Sequence, residues 1–195
     1  MGRVAAMSTA KAEAATIGEE RSISTLAVVG WVLYDLANTI FSLNIVSLYF
    51  SLWVVNVMGG TDADYGFATS ISMAVIFCAS PLLGALTDQS PRRMPFLVVS
   101  TLICIGFTLL LGQGGLLSSL IFFAIANIAY QAGLQFYDAL LPEVSNEENR
   151  GWIGGIGVGV GYLGSLIGLA AGSLLLRGVD ELPQAVQHTR YGSVF

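Results

Sequence analysis

Charged side chains are scarce in this 195-residue chain, at 11% of residues against roughly 25% in an ordinary soluble domain, while 54% are hydrophobic. That balance points to a membrane. There is one histidine, His188, and no nucleophile, base and metal set can be assembled around it, so the sequence supports neither an enzyme nor a metal or cofactor site. The two cysteines, Cys78 and Cys104, fall inside apolar runs, where a thiol packs as a small apolar group, and no disulfide is expected. Nothing in the chain is strongly basic and the net charge is -5, which leaves a nucleic-acid partner without support. Strict polar/apolar alternation is also missing, and with it the strands of a membrane β-barrel. The first 24 residues lack the apolar core of a secretory signal; they read as a flexible cytoplasmic tail, with Met7 as an alternative start.

What the chain does have is long apolar runs. A helix crosses about 30 Å of hydrocarbon with about 20 residues. Five runs qualify, over 25–55, 65–86, 95–111, 116–141 and 153–176, and predict a five-helix transmembrane bundle. The third sits at the lower limit of length, and the first is long enough to need tilt. All eight basic residues lie outside these runs. Six of them fall on the side of the N-terminus and two on the other, so the positive-inside rule places the N-terminus in the cytoplasm. Residues 177–195 are then extracytoplasmic, and "HTRYGSVF" reads as the lead-in to a sixth helix, so a truncated chain is expected.

Strongly polar side chains concentrate in two of the runs. In the first, Trp31, Tyr34, Asp35, Asn38 and Ser42 follow helical spacing and share a face, with Asp35 near the bilayer midplane. In the fourth, Asn127, Gln131, Gln135 and Asp138 form a second stripe, Asp138 near the inner end. An ionised aspartate facing lipid at midplane costs about 2.5 to 3.5 kcal/mol, so Asp35 must face protein or a watery cavity. It either glues helices together or binds substrate or a proton. The amides serve packing or binding equally well. Trp31, Tyr34 and Tyr49 belong to a pocket lining or to core and interface.

The fifth run carries Gly157, Gly161, Gly164, Gly168 and Gly172 at a spacing that lets another helix approach closely. It is a packing seam, since a phosphate-binding reading of "GIGVGVG" lacks both the preceding strand and the following lysine. Pro81 should kink the second run. In the turn "GALTDQSPRRMP", Asp88 and the guanidiniums of Arg92 and Arg93 are placed to pair and to cap helix ends, or simply to anchor the inner side.

That turn resembles the loop between helices 2 and 3 of the major facilitator superfamily, G-x-x-x-D-x-x-G-R-[KR]. Gly84, Asp88, Arg92 and Arg93 match; Pro91 replaces the usual glycine and Gln89 the frequent arginine. "GVGVGYLGS" is similar to the helix-5 pattern G-x-x-x-G-P-x-x-G-G, with Tyr162 for proline and Ser165 for the last glycine. "WVLYDLANTIFS", "FYDALLPEVSNEENRG" and "GYLGS" together resemble the branch containing the vacuolar, autophagy-linked amino-acid effluxers and their bacterial relatives, in which Asp138 is more often asparagine. The resemblance implies a twelve-helix transporter in two halves, each of inverted three-helix repeats, with the solute site near midplane. Runs one and four would border the central cavity, and run three would face lipid.

The expectation is therefore an all-α membrane protein, the N-terminal half of a major facilitator bundle without its sixth helix, in a bacterial plasma membrane. It would move a small polar solute, amino acids by resemblance, through alternating access. Asp35, Asn38, Asn127 and Gln131 are the candidates for substrate or proton binding, and Gly84, Asp88, Arg92 and Arg93 form the cytoplasmic gating turn. Its expected partners are the lipid bilayer, the solute, protons as coupling ion, and a missing C-terminal half or a second copy. The alternative is a non-transporting remnant or an interaction subunit that packs through the glycine-rich fifth helix.

Overall fold

The computed structural model describes residues 24–90 and 92–195; the expected tail, with Arg3, Met7, Lys11 and Arg21, and Pro91 of the gating turn lie outside them. No strand occurs among the described residues. The first run forms one continuous rod, Thr25–Asn56, built of α1 (Thr25–Ile40), a π-helical segment (Phe41–Tyr49) and α2 (Phe50–Asn56). Then follow α3 (Asp62–Gln89), α4 (Met94–Leu109), α5 (Leu116–Asp138), α6 (Arg150–Leu175) and the short α7 (Gln184–Gly192).

Local chemistry sets the helix ends. At the start of α3, Thr61 Oγ1 accepts from the Asp64 backbone N–H at 3.2 Å while the Asp64 carboxylate accepts from the Thr61 N–H at 2.8 Å. This reciprocal cap starts the helix three residues before its apolar run and puts Asp62 and Asp64 at the positive end of the helix dipole. The α3 helix continues through Pro81. Pro95 occupies the first turn of α4, where a missing N–H costs nothing. Gly178, at φ 71°, takes the left-handed conformation that turns the chain after α6.

Four of the helical stretches are long and apolar enough to span a membrane among the described residues: Thr25–Asn56, Asp62–Gln89, Leu116–Glu143 and Arg150–Glu181. The 16-residue α4 is shorter, about 24 Å at 1.5 Å per residue. Leu26, Phe67, Phe77, Leu82, Leu117 and Ile167 turn outward at 69 to 81% exposure, an apolar belt that suits lipid and would be hazardous in water. The chain is an all-α membrane bundle.

Two layers of contact hold it. The rod packs lengthwise on α6, and α5 packs between α3 and α4. Side-chain clusters fill the two ends. Phe50, Trp53, Val54 and Phe123 are fully buried at one, with Tyr191 of α7 and Phe195 completing the cluster. Trp31, Leu97, Phe136, Tyr137 and Ile153 fill the other. His188 lies in α7, its ring edge-on to Trp53 at 5.5 Å between centroids.

The five expected seam glycines of α6 all face the rod. A Cβ on Gly157 would meet the Trp31 ring at 2.6 Å, on Gly161 the Thr39 hydroxyl at 2.6 Å, on Gly164 Leu36 at 2.6 Å and on Gly168 the Asn44 amide at 2.6 Å; on Gly172 it would run into Tyr49. The chain's own first rod thus occupies the face of α6 on which a partner chain would have docked. From Trp31 to Tyr49 is eighteen residues, whereas Gly157 to Gly172 is fifteen. As α-helices these lengths would be about 27 and 22 Å. The π turns, with more residues per turn, take up the difference and keep one face of the rod over the seam.

Candidate functional site

Asp35 is half-buried in α1, and its carboxylate points along the seam. Oδ2 lies 3.2 Å from where a Cβ on Gly161 would stand and 3.4 Å from one on Gly157. One turn later, the Thr39 hydroxyl donates to the Asp35 carbonyl at 2.8 Å. Asn38 is buried, its Nδ2 without a hydrogen-bond partner, beside a cavity of about 120 Å³ whose walls include Tyr34, Thr101, Cys104 and Tyr130. Asn44, in the π segment, donates to the Ile40 carbonyl at 3.0 Å and reaches across to the Ser165 carbonyl of α6 at 3.4 Å. Tyr49 donates to the Leu169 carbonyl at 2.8 Å.

The α5 stripe faces α3. Asn127 is fully buried and donates from Nδ2 to Ser72 Oγ at 2.7 Å; Gln135 does the same to Ser80 Oγ at 2.8 Å. Both pairs are 55 residues apart, which means that α3 and α5 run parallel in constant register. Between them, Gln131 reaches only the Met73 sulfur at 3.7 Å, a weak acceptor, so its amide keeps spare hydrogen-bonding capacity. Of the four candidates, Asp35 and Asn38 therefore lie on the rod and Asn127 and Gln131 on the α3-facing side of α5. No hydrogen bond joins the two pairs among the described residues.

Tyr137, which the sequence did not single out, links α5 to two aromatic residues of the rod that it did. Tyr137 stacks on Trp31 with ring centroids 4.6 Å apart and on Tyr34 at 5.2 Å, and the Trp31 indole N–H donates to the Tyr137 carbonyl at 3.4 Å. Tyr34 is held in turn by Thr101 of α4 at 2.9 Å. These three rings border a mostly apolar cavity of about 520 Å³ that opens at the Arg93 end of the bundle. Tyr137 lies two positions past Gln135 and one before Asp138, off the polar stripe, so a search by period alone passes over it.

The α3–α4 turn differs from expectation in its pairing. Arg93 does not bind Asp88. Its guanidinium donates to the Thr87 carbonyl at 3.2 Å, to the Ala139 carbonyl at 3.0 Å and to Glu143 at 2.8 Å. Arg93 immediately precedes α4, so its side chain reaches the C-terminal ends of both α3 and α5, where unpaired carbonyls and negative dipole ends collect. Asp88 and Arg92 are exposed, and a Cβ on Gly84 would meet nothing within 4 Å. Complementary charge in two loops on the same side is the signal that would have suggested Glu143. No group of three or more His, Cys, Asp or Glu gathers as a metal site among the described residues.

No family model matches the chain. No solved structure matches it. Among curated proteins, it is 32% identical over 152 residues to an "Uncharacterized protein" of Aquifex aeolicus (strain VF5), a match covering 76% of this chain and 38% of that protein. It is 25% identical over 177 residues to the "Uncharacterized MFS-type transporter YxiO" of Bacillus subtilis (strain 168), covering 85% of this chain and 41% of the relative. The chain thus spans about two fifths of the length of the curated relatives it matches. Its spanning helices and this distant kinship agree: the chain is a multi-pass helical membrane protein with a relative among the MFS-type transporters.

Proposed function

We propose that the chain supplies the first helices of a secondary active transporter of the major facilitator type. It would move a small polar solute, amino acids being the first class to try, by alternating access against a further set of helices. Its N-terminus would face the cytoplasm of a bacterial cell, and protons would be the coupling ion. Asp35 is the proposed proton acceptor, with Asn38, Asn127 and Gln131 contributing to solute binding and the Gly84, Asp88, Arg92 and Arg93 turn to gating. The observation that carries this reading is Asp35 itself: a carboxylate well inside a 32-residue apolar rod, set between packed helices instead of at the lipid face. Of the α5 amides, Gln131 is the one best able to reach a solute, because Asn127 and Gln135 already spend their donors on Ser72 and Ser80.

The test uses proteoliposomes containing the full-length gene product that carries this chain. They enclose a pH-sensitive dye and meet a panel of amino acids, sugars and short peptides. The expected result is a solute-dependent pH change that Asp35→Asn abolishes. No response to any solute class would refute transport. Solute flux with unchanged proton movement in Asp35→Asn would refute the coupling role alone.

A further inference from the structure

The rod and α4 do not pack along their length, and three cavities line up between them. One of about 520 Å³ lies at the Arg93 end, one of about 120 Å³ in the middle and one of about 130 Å³ toward the far end. Tyr34 borders the first two, and Phe41, Cys104 and Ile105 border the last two, so the three join into one mostly apolar groove. Phe195 stands at its far end. Asn38, 9% exposed, faces the middle of the groove, and its Nδ2 has no hydrogen-bond partner. Acyl chains carry no acceptor that could satisfy this donor, whereas a helix with a hydroxyl or amide side chain does.

The packing of the other helices indicates the occupant. The rod and α6 run parallel, with Trp31 at Gly157 and Tyr49 at Gly172, and so do α5 and α3. Exchanging the rod with α5 and α6 with α3 therefore carries one pair onto the other. On α5, α4 packs antiparallel, with Phe96 against Phe136 and Phe107 against Phe122. The same exchange asks for a helix antiparallel to the rod beside it, and among the described residues none runs there. Phe195 lies at the end of the groove where such a helix must begin. We infer that the groove between the rod and α4 seats the membrane-spanning helix that follows Phe195 in the full-length gene product. That helix runs antiparallel to both walls, covers Ile105 and Leu109, and offers Asn38 Nδ2 a side-chain acceptor. The inference rests on the proposal that further helices follow this chain, and is independent of what they transport.

The experiment is photo-cross-linking of the full-length gene product in nanodiscs, with Ile105, Ala37 or Val99 replaced one at a time by p-benzoylphenylalanine. Ile105 and Ala37 border the middle cavity, whereas Val99 lies on the opposite face of α4 and is as exposed as Ile105, at 55 against 50%. All three are exposed positions, and an unchanged gel-filtration profile confirms that each variant folds. We expect Ile105 and Ala37 to capture peptides from beyond Phe195 in the same chain, at monomer mass, and Val99 to capture lipid. The peptide captured at Ala37 should hold a Ser, Thr, Asn or Gln within one helical turn of the cross-link. Capture at Ile105 and Ala37 of lipid alone, of a second copy at dimer mass, or of nothing overturns the seat and leaves the transporter reading standing. A captured segment without any such side chain overturns the Asn38 hydrogen bond. A gene product with no spanning segment after Phe195 overturns the seat and the transporter reading together.

Discussion

Gly159 and Gly161 lie two residues apart on α6, yet an added methyl should have opposite effects at the two positions. At Gly159 a Cβ would meet nothing within 4 Å. Replacing a mid-helix glycine by alanine there removes backbone entropy from the unfolded chain and should stabilise by about 0.5 to 1 kcal/mol. At Gly161 the same Cβ would stand 2.6 Å from Thr39 Oγ1 and 3.3 Å from Thr39 Cβ. Thr39 cannot swing aside cheaply. It is β-branched and stiff at χ1, and its hydroxyl is tied to the Asp35 carbonyl at 2.8 Å. Relief must then come from separating the rod and α6, an overpacking cost of about 1 to 3 kcal/mol. After subtracting the helix-propensity gain, Gly161→Ala should still destabilise by about 1 kcal/mol, which sets the two variants roughly 2 kcal/mol apart. Equilibrium unfolding in mixed detergent micelles, followed by far-ultraviolet circular dichroism and tryptophan fluorescence, measures the difference, with Trp31 reporting on the seam at Gly157. If Gly161→Ala is as stable as Gly159→Ala, the rod does not sit in this seam.

Two further perturbations probe the other contacts by the same assay. Arg93→Ala should destabilise by about 1 to 3 kcal/mol, because it releases two helix-end carbonyls as well as Glu143, whereas Glu143→Ala should cost under about 1 kcal/mol since it removes only a partly exposed ion pair. Equal effects would mean that the carbonyl contacts contribute nothing. Ser72→Ala should cost about 1 to 3 kcal/mol by leaving the buried Asn127 amide without its acceptor, and adding Asn127→Leu should recover most of that loss. A double variant worse than the single one would refute the view that this pair is a packing contact.

Helicity and apolar length were legible in the sequence because they depend on local composition: run after run is too long, too apolar and too free of alternation to be anything but helix. Helix ends were less so. The α3 helix extends beyond its apolar run at both ends, because the polar cap at Thr61 and Asp64 satisfies its first N–H groups and Arg93 holds the Thr87 carbonyl at the other end. The polar stripe of α5 was visible as a stripe, but its hydrogen-bond partners Ser72 and Ser80 are ordinary residues 55 positions earlier, and nothing local marks them. The face drawn through Trp31, Tyr34, Asp35, Asn38 and Ser42 assumed one helical period. That period changes at Phe41, where the π segment begins, for a reason that lies in the glycines of a helix more than a hundred residues away. Tyr137 was missed because what distinguishes it is the stacking and burial of its side chain, and neither has a sequence period.

The unequal graduation of the rod and the seam works as a vernier. Two scales with the same spacing coincide again after every step, so a helix laid on an identically pitched partner can slip by one turn and find nearly the same fit. Here eighteen residues are ruled against fifteen, and the marks align at a single setting, with Trp31 over Gly157 at one end and Tyr49 over Gly172 at the other. A slip of four residues toward the C-terminal end of α6 would keep three of the five contacts on glycine but set Thr39 against Ser165 and Tyr49 against Leu176. The rod and α6 should consequently travel as one body in any conformational change, leaving relative motion to α3, α4 and α5.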